Sequence, residues 1–251
     1  MQVNKRDHYS YAMYADPAMA RSFEDRRFGG PIGELVAGTQ ARVLTAMVGE
    51  IHDRRIIDVG TGTGRAARLL ARQGADVTAI DASDEMLAVA RRRAADDHLN
   101  IKFARGDAHA IEFPDRAFDV AVCLRVLMHA PDWRQCLSEL CRVTERLVIF
   151  DYPSATSAAI LESAARHAVH AAGGRTEAYR VFTRGQIRRA LARHGFRIRA
   201  VHRQFVLPIQ LHRAIGSRRF TEGVEHLFDR AGFLRLFGSP VTVSAERCGS
   251  S

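Results

Sequence analysis

Apolar residues in this chain come in short unbroken runs, and the runs are separated by stretches with helical spacing. Ile56, Ile57 and Val59, the segment Ala75–Asp81, residues 100–104, Phe118–Cys123 and Arg146–Asp151 each read as a strand. β-Branched residues in continuous runs, rather than alternating with polar ones, indicate strands covered on both faces. Between them the apolar positions recur every three to four residues, as on one face of a helix. Such helices are expected from Thr63 to Gln73, with Ala66, Ala67, Leu69 and Leu70 inward, and from Ser83 to about Ala95. A third should follow Pro131-Asp132-Trp133 and run to about Val143. Ser83 suits the N-cap of the second, and Asp84 and Glu85 favour the positive end of its dipole. Five strands alternating with helices predict an α/β, doubly wound, mostly parallel sheet.

The flanks follow other patterns. Asp16-Pro17 reads as a helix start, and Gly29-Gly30-Pro31 ends that helix and begins another running to about Ile51. Residues 1–30 carry Tyr9, Tyr11, Tyr14, Phe23 and Phe28 and read as a lid segment before the first strand, with packing on the domain edge as the alternative. Residues 31–251 form the main domain, with 155–180 and 208–237 as helical elaborations. Within them, 155–172 is alanine-rich and helical. Thr183–His194 is a basic helix stopped by Gly195, Phe196–Leu207 a strand, and Pro208 to about Leu236 a helical insertion. Val241–Ala245 is the last strand.

The first strand ends in Asp58-Val59-Gly60-Thr61-Gly62-Thr63-Gly64. Glycines at alternate positions allow a sharp turn and a close backbone approach to a ligand, and the following helix would aim free N–H groups at it. That is a nucleotide cradle of some kind. The Gly-Lys-Ser/Thr of a phosphate-binding loop is absent. A dinucleotide fingerprint counted from Gly60 and Gly62 meets Arg65 where its third glycine belongs, whereas counted from Gly62 and Gly64 it ends on Ala67, the looser form. Asp58, Asp81, Asp107, Leu124 and Asp151 all fall at or near strand ends, and ligands of open α/β sheets bind outside the carboxyl ends of their strands. Asp81 also lies where an acid accepts both ribose hydroxyls in related nucleotide sites.

Composition narrows the class. A hydrophobic share of 47% and a charged share of 26% are those of a soluble globular protein. The polar first ten residues and the lack of a long uncharged apolar run lead us to expect cytoplasmic residence. Cys123, Cys136, Cys141 and Cys248 form no metal- or disulfide-like spacing, so no metal site is expected. The net charge of +9 is uneven: residues 1–151 are near neutral, and eleven arginines but no acid lie between Glu177 and Glu222.

These residues carry a family resemblance. Asp58-x-Gly60-x-Gly62-x-Gly64, Asp81, Gly106-Asp107-Ala108, Phe118-Asp119 and Val126-Leu127-Met128-His129-Ala130-Pro131-Asp132 resemble class I S-adenosylmethionine-dependent methyltransferases. The nearest pattern is the small-molecule, ubiquinone/menaquinone-type (methyltransferase type 11) branch, over roughly residues 30–151. The resemblance implies a seven-stranded Rossmann-like sheet and S-adenosylmethionine as cofactor. It places Asp58 toward the methionine amino group, Asp107 on the adenine amino group, Met86 against the adenine ring and the Leu124 carbonyl near the amino group. Gly60, Thr61, Gly62, Gly64, Ala82 and Ala108 complete the expected cofactor-binding set. Val143-Thr144-Glu145-Arg146 stands where that branch usually has a Pro-Gly-Gly turn. A sulfonium without phosphates also suits a rim of acids.

Methyl transfer is an in-line displacement in which the protein supplies alignment and a dry pocket. A base is needed only if the acceptor loses a proton. His129 is the first candidate, beside the alternative of a histidine that merely caps a helix start, and Asp151 and Tyr152 come after it. The basic segment from Arg184 to Arg219, with Phe205–Leu211 interleaved, reads as an amphipathic cover for a lipid-like acceptor or an anionic membrane surface, as a nucleic-acid track, or as a solvated face. The expected activity is methylation of a small hydrophobic or amphipathic, quinone- or lipid-like acceptor. An RNA-binding methyltransferase or a non-catalytic cofactor-sensing module is the alternative.

Overall fold

The computed structural model describes residues 17–157, 159–160, 163 and 179–249. Expectations that fall on 1–16 and on most of 158–178, including the tyrosines before Pro17 and the alanine-rich helix, lie outside the described residues. Helices α1 (Pro17–Phe28) and α2 (Gly30–Val48) precede β1 (Arg55–Val59). There follow α3 (Arg65–Ala71), β2 (Asp76–Asp81), α4 (Asp84–Asp96), β3 (Ile101–Arg105), β4 (Phe118–Cys123), α5 (Trp133–Val143) and β5 (Thr144–Tyr152). The remainder is α6 (Arg184–Arg193), β6 (Phe196–Phe205), α7 (Ile209–Ile215), α8 (Arg218–Arg230), α9 (Phe233–Phe237) and β7 (Ser239–Arg247).

The seven strands make one sheet in the order β3-β2-β1-β4-β5-β7-β6, parallel except for β7, which runs against both neighbours. The strand order reverses between β1 and β4, the switch point at which a doubly wound sheet opens a crevice. Burial follows the patterning: Ile56, Ile57, Val120, Val122, Leu147 and Ile149 are fully enclosed, while the edge strands β3 and β6 alternate with solvent. The apolar side chains form two layers. One lies under α5 and α6 (Leu137, Leu140, Phe150, Ile187, Leu191), the other under α2 and α3 (Leu44, Val48, Leu70).

Local chemistry sets the boundaries. Ser83 caps α4 by accepting from the Met86 N–H, Asp132 caps α5 by accepting from Arg134 and Gln135, and Thr183 and Gln186 form a reciprocal capping box on α6. Three expected boundaries shift. α3 begins two residues late because Gly64 is left-handed (φ 81°) and cannot be its first helical residue. β5 starts directly at the end of α5, where the Thr144 hydroxyl closes onto the Leu140 carbonyl at 2.6 Å and leaves no turn to build. β6 stops at Phe205 because the N–H groups of Val206 and Leu207 go to the Glu225 carboxylate, at 2.7 and 3.0 Å. Glu225 also meets the fully buried His212 (2.9 Å), whose other ring nitrogen faces the Thr221 hydroxyl, and this knot holds the helical insertion together.

The insertion closes back on the N-terminal helices. Arg213 on α7 donates to the Arg27 carbonyl at the end of α1, and α7 and α8 pack on α2. α1 is fastened to the glycine loop by Glu24, which accepts from the Thr63 hydroxyl (2.6 Å) and pairs with Arg93. Among the described residues no helix is long and apolar enough to cross a membrane.

Candidate functional site

A groove opens above the C-terminal ends of β1, β2 and β4, enclosing about 1230 Å³ with its solvent-open mouth included. Its floor is the glycine loop. The N–H groups of Gly60 and Thr61 both donate to the Ile80 carbonyl, at 2.8 and 3.0 Å, which pins the loop to the end of β2. Gly60 (φ 70°) passes under Val126, and a Cβ there would lie 2.3 Å from a Val126 methyl. Gly62 (φ 56°) differs: a Cβ there would meet open space, so this bare backbone faces the groove.

Three acids define one side. Asp58 is buried and accepts from the Thr61 hydroxyl (2.6 Å) and from the Ala67 N–H in the first turn of α3. Burial pushes its carboxyl up to about 6, those two hydrogen bonds opposing the shift. Asp81 accepts from Gly62 N (2.7 Å) and Ser83 N (2.9 Å), and burial raises it as well. Asp107 accepts from the backbone and ring of His109, at 2.8 and 2.7 Å. The Asp132 N–H points at the other His109 ring nitrogen (3.4 Å), so the proton sits on Nδ1, facing Asp107. His109 thereby fixes the orientation of Asp107.

Most of the expected binding residues converge. Asp58, Gly60, Thr61, Gly62, Asp81, Ala82, Met86, Asp107, Ala108 and Leu124 all line the groove, as does the candidate base His129, itself buried. Four expectations need correction. Gly64 does not line the groove: its Cβ position lies 3.0 Å from Ala90, so its role is to pack α3 against α4. The free N–H groups of α3 do not all point at a ligand, since that of Ala67 is taken by Asp58. Asp151 is enclosed beneath the groove, where it accepts from the Arg125 N–H and stabilises that residue's left-handed backbone (φ 65°). Tyr152 is core, its ring edge-on to Phe182 at 5.8 Å.

Phe23 and Phe28, aromatics of the expected lid segment, reach in from α1. Several other lining residues were not expected: Arg27 from α1, Gln40 from α2, Arg65 from the start of α3, and Arg125 and Val126 from the loop after β4. The Asp-x-His spacing at 107–109 was a usable sequence signal for His109. Nothing local distinguished Arg27 or Gln40, because α1 and α2 come over the groove only through tertiary packing. Much of the basic segment is held by the chain itself: Arg197 pairs with Glu246, Arg218 with Glu222, and Arg203 reaches the Gly238 carbonyl. Arg184, Arg188, Arg189 and Arg193 stand exposed on α6, and Arg219 on α8. Among the described residues, no group of three or more His, Cys, Asp or Glu gathers to hold a metal.

The chemistry on offer is therefore specific. Buried acids at the strand ends, exposed glycine backbone and the apolar faces of Met86, Phe23 and Phe28 suit a cationic ligand with a flat apolar part. A phosphate would meet carboxylates there instead.

Comparison with known proteins agrees with the topology. Residues 56–146 match a family model described as a methyltransferase domain. The demethylmenaquinone methyltransferase of Thermus thermophilus is 39% identical over 105 residues, spanning 40% of this chain and 48% of that protein. The ubiquinone biosynthesis O-methyltransferase of Serratia proteamaculans is 40% identical over 86 residues, 34% of this chain and 35% of that protein. The chain thus spans less than half the length of these curated relatives. Among solved structures, magnesium protoporphyrin IX methyltransferase from Synechocystis PCC 6803, with bound SAH, superposes with a TM-score of 0.65 at 18% identity, covering 95% of this chain and 98% of that one. The cyclase SpnF superposes at 0.59 and 20% identity, covering 84% and 80%. These structural likenesses show the fold alone.

Asp58 provides a test of the site's electrostatics. Its folded carboxyl titrates near 6 and its unfolded one near the ordinary 3.8. Ionisation therefore opposes folding as pH rises through that window, by up to about 3 kcal/mol at 1.4 kcal/mol per unit. Asp58→Asn should raise the melting temperature of the ligand-free protein at pH 8 and leave it nearly unchanged at pH 4. Equal shifts at both pH values would show that the carboxylate is not under this strain.

Proposed function

We propose that this chain, whose residues 56–146 match a methyltransferase-domain model, transfers a methyl group from S-adenosylmethionine to a small hydrophobic or amphipathic acceptor. The observation that carries this reading is the trio of Asp58, Asp81 and Asp107 around the exposed backbone of Gly62. Two of the three carboxylates are driven upward in pKa by burial, so a cation in the groove would relieve a cost already present in the fold. The sequence likeness to demethylmenaquinone and ubiquinone methyltransferases supports a quinone-like or lipid-like acceptor.

The residues fit the cofactor. Asp58 would take its amino group, Asp81 the ribose hydroxyls and Asp107, held by His109, the adenine amino group, while Met86 and Ala82 would flank the ring. S-adenosylmethionine supplies an electrophilic methyl group on a sulfonium. The chain aligns the acceptor, excludes water with α1 and, for an acceptor that must lose a proton, offers His129 from the loop after β4. Alignment of this kind is worth up to roughly 7 to 11 kcal/mol, and a positioned base about 10²- to 10⁴-fold.

The insertion supports a second part of the reading, peripheral contact with an anionic membrane surface. Leu211, Ile215, Phe220, Leu227, Phe233, Leu236 and Phe237 are all at least 41% exposed, and Arg213, Arg218, Arg219, Arg230 and Arg235 stand exposed on the same three helices. Apolar side chains among arginines, next to the lid of a groove that takes an amphipathic molecule, match the surface of an anionic bilayer.

Asp81→Ala should weaken S-adenosylhomocysteine binding at least tenfold in calorimetry, and unchanged affinity would remove Asp81 from the cofactor site. Incubating the enzyme and methyl-labelled cofactor with host lipid and metabolite extracts should label a product by mass spectrometry. His129→Ala should cut that turnover about 10²-fold or more while cofactor affinity stays within threefold, and equal turnover would exclude His129 as base. The protein should co-sediment with vesicles containing phosphatidylglycerol but not with pure phosphatidylcholine. Equal partition to both, or to neither, would contradict the membrane contact.

A further inference from the structure

Two walls of the groove come from strands that are not neighbours. Asp107 follows β3 at the edge of the sheet, and the loop that carries His129 follows β4, with β2 and β1 between them. At the spacing of adjacent strands the two segments leave the sheet roughly 14 Å apart. His109 joins them. Its buried ring gives Nδ1–H to Asp107 (2.7 Å) and takes the Asp132 N–H at Nε2 (3.4 Å), and its carbonyl accepts from the Gln135 side chain (3.3 Å). Asp132 ends the loop and caps α5, accepting from the Arg134 and Gln135 N–H groups at 3.1 Å each. The loop is thus fastened at both ends. At its start the Arg125 N–H is held by Asp151 on β5, and at its end Asp132 hangs on a ring whose other partner, Asp107, lines the groove. Between these points the chain turns on itself, His129 N–H meeting the Val126 carbonyl (2.9 Å), while the Met128 carbonyl accepts from Arg180 (2.9 Å).

Resting on the methyltransferase reading, we propose that His109 is a positioning residue that couples the cofactor's adenine to the loop presenting His129. The adenine amino group, by fixing Asp107, fixes the His109 ring, and the ring sets the Asp132 end of that loop. The direction of each hydrogen bond carries the argument. A carboxylate only accepts, so Nδ1 holds the proton; a backbone N–H only donates, so Nε2 offers its lone pair. A neutral imidazole in this tautomer meets both partners at once. Asparagine places an amide nitrogen where Nδ1 stands and so reaches Asp107 alone, and its side chain ends before Asp132. The Asp107 side chain is 38% exposed, so without the ring beside it the carboxylate is able to turn toward water. The candidate base is then in place when a methyl donor is in place, a coupling typically worth about 5- to 150-fold between two sites.

The test uses the full chain with S-adenosylhomocysteine and with S-inosylhomocysteine, which has a carbonyl oxygen in place of the adenine amino group. Calorimetry gives the preference between the two. Hydrogen exchange gives the protection of amides 132–136, which lie beyond the residues lining the groove. The parent protein should prefer S-adenosylhomocysteine about tenfold or more, and that ligand should slow exchange at 132–136 about fivefold or more. His109→Leu should lose the protection, and its preference should fall at least fivefold. His109→Asn should keep the preference within threefold yet lose the protection. With saturating S-adenosylmethionine, labelling of host extract by the asparagine variant should drop tenfold or more. Protection or labelling retained in His109→Asn overturns the link to the loop, and a preference unchanged in His109→Leu overturns the hold on Asp107. A histidine that merely stabilises the fold would lower preference, protection and melting temperature together in both variants, which also overturns the proposal. Failure of S-adenosylhomocysteine to bind the parent chain would instead overturn the methyltransferase reading, so the two failures are distinguishable.

Discussion

Asp58 sits at the end of the central strand, at the point where the strand order turns back, and it is buried with its charge incompletely matched. Holding a carboxylate there requires donors, and the local chain is arranged to supply them: Thr61 from the loop and Ala67 from the first turn of α3. Those bonds fix the path of the glycine loop. The path in turn leaves Gly62 facing open space and puts Asp81 within reach of its N–H. The site's geometry thus follows from accommodating one acid in the interior of the sheet.

That acid also organises the rest of the groove. Asp81 and Asp107 extend the negative side along β2 and the turn after β3, and His109 keeps Asp107 aimed. Asp151 anchors Arg125, and Arg65 lies within the fields of Glu24, Asp58 and Asp151. α1, which lines the groove, is joined to the C-terminal insertion through the bond from Arg213 to the Arg27 carbonyl, which links it to the exposed apolar surface.

The sheet was largely legible in the sequence because fully buried parallel strands need unbroken apolar runs, and β1, β4 and β5 have them. The acids of the rim were legible for a related reason: each lies within two residues of a strand end, so finding the strand placed the residue. What stayed hidden depends on contacts between distant segments. Asp151 and Tyr152 occupy a strand end as Asp81 does, yet Tyr152 is covered by Phe182 and the layer beneath α5 and α6, and Asp151, on the opposite face, is taken by the Arg125 N–H; no local pattern records either contact. Arg27 and Gln40 belong to helices with no fixed place relative to the sheet until packing is complete. Much of the basic C-terminal run proved to be bound up internally, since partners such as Glu246, Glu222 and the Gly238 carbonyl lie on other turns or strands.

The account stands or falls on whether the acid side of the groove receives the cofactor's amino group at Asp58. The direct measurement is a calorimetric titration of the ligand-free protein with S-adenosylhomocysteine between pH 5 and pH 8. A carboxyl titrating near 6 that must ionise to pair with an ammonium makes binding about tenfold weaker at pH 5 than at pH 7, with a plateau above. One molecule bound per chain with that profile is the expected result. Absence of binding, or an affinity that does not change from pH 5 to pH 7, would contradict it.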